Sequence, residues 1–245
     1  MVKQIGAREA SRESLPPLRV SQFHTTSSAV ERLSYRGGLH DWSNFCWDVR
    51  NTTDIQNWSN AAIKYSLASR NLEENEVFVG DESGVQGRFQ QAIGQILGMV
   101  FRAQTLDIRF ADFKCLVPWV DDHSIQHSRD AGQPFDLGSH LRMLLAQPVQ
   151  YMKDLKCKYG FLSTYEETIF LRQRHDSARW VIDCSPVIFA SDAYTEWNPV
   201  NTSSTVSLRE CFFHIATLAL PEGEINNQQP RSEWVDSLQQ EDDGN

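Results

Sequence analysis

The chain has 245 residues, 40% of them hydrophobic, which is material for one well-buried core with flanking segments. Its formal net charge of −9 and pI near 5.2 work against non-specific attraction to a phosphate backbone, so nucleic acid is not the expected partner. No apolar run approaches the ~20 residues that span a bilayer, and the opening residues MVKQIGARE carry no apolar signal core. These features predict a chain that is neither membrane-bound nor secreted.

Cys46, Cys115, Cys157, Cys184 and Cys211 are an odd set without a Cys-x-x-Cys pair. Such a set suits a reducing compartment, and the expected location is the cytoplasm or nucleus. The sequons at Asn51, Asn57 and Asn201 then read as chance matches.

Residues 1–26, with Pro16, Pro17 and several Ser and Arg, are expected to form a disordered arm. Residues 27–221 are expected to form a single α/β domain. Its first stretch, about Ser27 to Arg70, carries Trp42, Phe45, Trp47, Trp58, Ile63, Tyr65 and Leu67, and so should pack on the core as helix or irregular coil. From Glu82 to Gln104, Val85, Phe89, Ile93, Ile96, Leu97, Val100 and Phe101 share a broad helical face. Gly94 and Gly98 on that helix would let another element approach closely.

Asp107 to Lys114 alternates in the manner of a strand. Leu141, Leu144, Leu145, Val149, Met152 and Leu155 then recur at three and four residues, a helix that Gly160 would end. Tyr159 to Gln173 reads as two short strands around a turn at Glu166 and Glu167. Trp180, Val181 and Ile182, followed by Val187 and Ile188, suggest a strand broken by Pro186. Ser207 is placed to cap a helix reaching Leu220, with Pro221 stopping it. Residues 222–245 are acidic, rich in Gln and Asn, and are expected to form a disordered tail. Leu145, Phe161, Leu162, Phe170, Phe89 and Ile96 are expected in one core, since both long helices would cover one small sheet.

Candidate chemistry is sparse. His123 and His127, four apart beside Asp121 and Asp122, would share a helical face, but with no Glu between them the expected reading is a solvated helix start that holds no metal. Asp112 and Lys114 would share a strand face. Such a pair suits Mg²⁺-dependent phosphodiester hydrolysis, in which a carboxylate holds the cation and a lysine orients water. Glu82 is the nearby acidic candidate, and the plain alternative is an exposed strand face. Cys115, beside Lys114, reads as a buried inert thiol. Arg142, Arg172, Gln147 and Gln173 are candidates to contact an anion. No phosphate-binding Gly-rich loop, nucleophile elbow or kinase signature is present.

GVQGRFQQAIGQILGMVFRAQ from Gly84, DIRFADFK from Asp107, PWVDDHSI from Pro118, the segment Leu141 to Gln173 and VSLRECFFHIATLAL resemble a family of fungal proteins. The domains of that family occur alone or near kinase-like domains, and they look like divergent PD-(D/E)XK nucleases. The resemblance covers roughly Glu82 to Leu220. It implies an α/β (α+β) fold in which helices flank a small mixed sheet, a truncated restriction-endonuclease-like core. The family's Pro-Asp and Glu-x-Lys strands are missing: Lys114-Cys115-Leu116-Val117 runs straight into Pro118-Trp119, where relatives place a β-hairpin. This looks like a deletion or a lost exon. Without that hairpin the metal lacks carboxylate ligands.

The expected function is therefore non-catalytic: a degenerate nuclease-like module that binds a protein or regulates one, with no cofactor. Trp119, Trp234 and the aromatic segment before Arg70 are candidate anchors. Two alternatives stand beside it: a Mg²⁺-dependent nuclease using Glu82, Asp112 and Lys114, and an intracellular small-molecule enzyme or binder reusing the pocket. Ligand and oligomeric state are not legible in the sequence.

Overall fold

The computed structural model describes residues 2–20, 33–66, 78–79, 81–110, 137–196 and 205–237. In chain order its elements are β1 (Val2–Gly6), α1 (Ala7–Arg12), β2 (Arg19–Val20), β3 (Leu33–Tyr35), β4 (Gly38–Asp41), α2 (Phe45–Ile55), β5 (Ala62–Ser66) and β6 (Phe78–Val79). Next come α3 (Glu82–Phe89), a π-helical turn (Gln90–Gln95), α4 (Ile96–Ala103), α5 (Leu137–Asp154), β7 (Tyr159–Ser163), β8 (Glu167–Asp176), β9 (Arg179–Cys184) and β10 (Ile188–Phe189). The chain closes with α6 (Leu208–Glu222), α7 (Arg231–Trp234) and β11 (Val235–Ser237).

The main sheet is mixed and grows around β8. Leu171 and Arg172 of β8 pair with Gly160 and Tyr159 of β7 on one edge, while Leu171 also faces Cys184 of β9 on the other. Both pairings are antiparallel, and β4 adds a parallel strand outside β9 with Leu39 opposite Ile182. Pro186 breaks the ladder between β9 and β10, as its missing N–H requires. The Ser185 hydroxyl fills the gap by accepting the Phe170 N–H at 2.9 Å, and β10 resumes with Ile188 opposite Thr168. At the β7–β8 turn Tyr165 takes a left-handed backbone, φ 79°, unusual for a bulky residue. Ser163 Oγ accepts its N–H at 3.0 Å, and its buried phenol donates to Pro16 O at 2.8 Å.

Period-two alternation gives the sheet two apolar faces. Phe170 faces a cluster with Phe45, Ile93, Phe101 and Phe213 from α2, the α3–α4 helix and α6. Its neighbour Leu171 faces a second cluster with Leu145, Val149 and Trp234. The expectation of one core is thereby corrected. Phe89 and Ile96 pack on the first face, Leu145 and Leu162 on the second, because adjacent strand residues cannot bury on the same side. Phe161 is 43% exposed, yet its ring stacks on Phe89 at 5.5 Å.

The predicted N-terminal arm is folded as far as it is described. Ile5 of β1 pairs with Ile63 of β5 and both are buried, while Ala7 and Ala10 let α1 press closely against its neighbours. Arg209 Nη1 donates to Ala10 O at 3.2 Å, and Arg12 Nε bonds Glu210 at 3.2 Å. Two prolines and a polar composition concealed these pairings; residues 21–26 lie outside the described residues. The segment expected as helix or coil supplies β3, β4 and β5 around α2.

The tail expectation is also corrected. α6 carries Pro221 in its last turn and reaches Glu222, and the chain then returns through α7 to pair β11 with β3, burying Trp234 and Val235. Residues 238–245 lie outside the described residues.

Ser207 caps α6 as predicted, in a reciprocal box: its hydroxyl accepts the Glu210 N–H at 3.1 Å, and Glu210 accepts the Ser207 N–H at 3.0 Å. The helix predicted from Glu82 forms, with the π-helical turn inside it. Among the described residues nothing comes within 4 Å of a Cβ placed at Gly98, which borders a cleft, contrary to the close packing expected there. Lys156, φ 56°, ends the α5 segment by taking the left-handed position usual for glycine, two residues after the last helical one. Gly160 matters for another reason: a Cβ there would meet Met152 Sδ at 2.6 Å, so β7 lies directly against α5. Asp107–Phe110 do not form a strand; Phe110 instead stacks on Phe101 at 6.0 Å. No helix among the described residues is long and apolar enough to cross a membrane.

Candidate ligand pocket beside the sheet

Arg172 and Arg174 are two apart on β8 and so share a face, and Asp183 of β9 sits directly opposite Arg172. One carboxylate takes both cations. Arg172 Nε and Nη2 reach Asp183 Oδ2 at 3.0 and 2.7 Å, while Arg174 Nη2 reaches Oδ1 at 3.1 Å. Burial would raise the Asp183 carboxyl, but the hydrogen bonds from Arg174 and Arg172 outweigh it and hold the group below the usual carboxylate range. The Arg172 guanidinium also lies 4.2 Å from the Trp42 ring centroid, a cation–π contact.

Around this triad a cavity of about 560 Å³ opens, within the range of small-molecule sites. Trp42 enters from the end of β4, anchored where its N–H donates to Cys184 O at 2.8 Å. Tyr159 of β7 stacks beside it, centroids 6.3 Å apart. Lys158 precedes β7, bonded to Glu222 at 2.6 Å and 5.6 Å from the Tyr159 ring. That bond raises the Lys158 ammonium pKa and lowers that of Glu222.

His214 of α6 forms part of the wall and is 3% exposed. Its Nδ1 meets Thr52 Oγ1 of α2 at 2.8 Å, and Nε2 has no hydrogen-bond partner among the described residues. Burial, aided by the Arg172 charge, pushes its pKa down to about 4, so the ring is neutral at pH 7. The pocket can thus offer donors and a flat aromatic wall. Asp48 of α2 contributes a carboxylate to the same lining.

Of the residues singled out in the sequence, Arg172 lies here. Gln173 borders the pocket, but its amide is engaged inside the fold, donating to Cys157 O at 2.8 Å and accepting from Asn227 at 3.0 Å. Arg142 is on the other side of the sheet, donating to Tyr35 O and Gly37 O, each at 2.9 Å. Gln147 bonds the Tyr151 hydroxyl at 2.9 Å on α5. Glu82 opens α3, just after its N-cap Asp81. Asp112, Lys114, Trp119, His123 and His127, together with Cys115, lie outside the described residues. Among the described residues, no three His, Cys, Asp or Glu side chains gather to hold a metal ion.

Sequence reasoning missed Lys158, Arg174, Asp183 and His214. The alternation Arg-x-Arg on a strand, followed after a turn by a lone Asp on the next strand, was the available signal for the triad. His214 gave none, since a histidine on an apolar helix face reads as core.

A larger cleft of about 1160 Å³ follows the π-helical turn and α4, lined by Gln90, Gly94, Gly98 and Arg102. Arg209 at its edge is bonded to Ala92 O at 2.9 Å and to Ala10 O, so the cleft offers fewer uncommitted buried polar groups than the smaller pocket. Comparison of the chain with protein-family models, curated proteins and solved structures finds no match.

Proposed function

We propose that the chain is a non-catalytic binding or regulatory module, a degenerate relative of PD-(D/E)XK nucleases, whose partner is a protein. The observation that carries this reading is the division of α2. Phe45, Val49 and Thr53 are buried at four-residue spacing, while Trp47 and Ile55, two turns apart on the outer side, are 67% and 75% exposed. An exposed tryptophan with an exposed isoleucine two turns further along the helix offers anchors of the kind that dominate protein interfaces. Three buried ionisable groups support the non-catalytic half: Asp183, Glu210 and Arg209 each bond to another part of the fold. The acidic net charge of −9 favours protein over nucleic acid. The described cysteines 46, 157, 184 and 211 are free, which fits the cytoplasm or nucleus.

The test has two arms. Purified protein incubated with DNA or RNA and Mg²⁺ or Mn²⁺ is expected to leave both intact. Crosslinking in cell extract is expected to capture a defined protein with the wild type and to lose it with Trp47→Ala/Ile55→Ser at unchanged thermal stability. Metal-dependent cleavage abolished separately by Asp112→Ala and Lys114→Ala, without a change in unfolding, would instead establish the nuclease reading.

A further inference from the structure

We propose that the pocket between Trp42, Tyr159, Lys158, Arg172 and His214 is a binding site for a small monocarboxylate carrying a flat apolar group. The inference stands apart from the protein-partner reading, which rests on Trp47 and Ile55, neither of which lines this pocket.

Three observations converge on it. First, Arg172 is fixed by Asp183 and by the Trp42 face, and its Nη1 has no partner among the described residues. A guanidinium held in this way loses little freedom when it donates again. Second, the Lys158 ammonium is held by Glu222, whose side chain is 69% exposed. An ion pair this open to solvent contributes little, so an incoming carboxylate exchanges for Glu222 at small cost. Glu222 is itself a carboxylate in the pocket lining, and its bond to Lys158 marks the chemistry the site accepts. Third, His214 is almost fully buried in the pocket wall with an unpartnered Nε2. When the Thr52 hydroxyl donates to Nδ1, the neutral ring carries its proton on Nε2, a buried donor that no acceptor among the described residues meets.

Charge decides between anions. Arg172, Arg174 and Lys158 carry three positive charges, and Asp183, Asp176 paired with Arg174, Asp48 and Glu222 carry four negative ones. A dianion such as a phosphate monoester adds to this excess and is disfavoured; a monoanion that displaces Glu222 toward solvent leaves the sum unchanged. The half-buried Tyr159 ring in the lining favours a planar body over a bare ion.

The experiment is calorimetric titration of the full-length protein at pH 7 with four probes: benzoate, acetate, benzyl alcohol and inorganic phosphate. Benzoate is expected to bind saturably, about tenfold or more tighter than the other three, a gap of about 1.4 kcal/mol. Lys158→Gln, which removes the pair with the mostly exposed Glu222 and the contact over the Tyr159 ring, is expected to weaken benzoate by about tenfold and shift the melting temperature little. Arg172→Gln should weaken it further; because that change also touches buried Asp183, the Lys158 variant keeps the test decisive. Trp47→Ala/Ile55→Ser should leave benzoate affinity unchanged. Equal binding by wild type and Lys158→Gln, tighter binding of phosphate than of benzoate, or no saturable heat with benzoate would overturn the proposal.

Discussion

The Trp234 indole meets the Tyr35 ring edge-on, centroids 5.0 Å apart, and donates through Nε1 to Val149 O at 3.2 Å. One side chain thus ties the C-terminal strand to β3 and to α5, and it closes the second face of the sheet. Trp234→Ala is expected to cost about 3–5 kcal/mol through the cavity and the lost bond. Truncation after Glu222 should be at least as damaging. Urea unfolding of the two proteins checks this, and a truncated chain as stable as the whole would show that the tail merely rests on the surface.

His214 makes stability pH-dependent. Its folded pKa of about 4 lies below the ordinary 6.5 of an exposed histidine, so between these values the unfolded chain binds a proton that the folded one refuses. The His214 contribution to stability therefore falls as pH drops from about 6.5 to 4 and levels off below, a loss on the order of 3 kcal/mol. Denaturant titrations at pH 7 and 4.5 should show the drop in the wild type and a much smaller one in His214→Gln. Equal drops would assign the effect to other groups.

Much of the second half of the chain was legible because its signals are local. The β7–β8 hairpin, the strand broken at Pro186 and the Ser207 cap each follow from residues a few positions apart. What failed depends on distant partners. Ile5 reads as a solitary apolar residue until Ile63 is set opposite it, 58 positions away, and Trp234 until Tyr35 is. The pocket was hidden for the same reason, since Trp42, Tyr159, Arg172 and His214 come from four separate elements. Asp112 and Lys114 were singled out by residue type and spacing alone, and they lie outside the described residues.

Asp183 is 3% exposed and balances two arginines whose side chains remain 30% and 37% exposed. Asp183→Asn keeps the shape and removes the charge, so Arg172 and Arg174, side by side on one face of β8, lose the carboxylate they share, and Arg174 keeps only Asp176 at 3.5 Å. Their partial exposure screens the repulsion, and the expected cost is about 1–3 kcal/mol, below that of a fully buried pair. Because the folded carboxyl pKa is depressed, the wild type holds this contribution above the unfolded carboxylate pKa and loses it as pH falls through the folded one. Denaturant midpoints measured across the acidic range should converge for wild type and variant, and a gap that persists at the lowest pH would point to packing instead of charge.

The Ser207 hydroxyl makes two connections at once: it accepts the Glu210 N–H inside the capping box, and it donates to Ser11 O at the end of α1. Removing it therefore uncaps α6 and unpins the N-terminal segment together. Ser207→Ala is expected to cost about 1–2 kcal/mol, at the upper end for a cap because the site is buried. The two effects separate by amide hydrogen exchange. Loss of the cap alone would speed exchange only in the first turn of α6, whereas loss of the Ser11 bond should also speed it in α1 and in β1, which that helix follows directly. Ser207→Thr retains the hydroxyl and should restore the α1 protection; a threonine variant that behaves as the alanine one would mean that α1 is held by Arg12 and Arg209 without help from this bond.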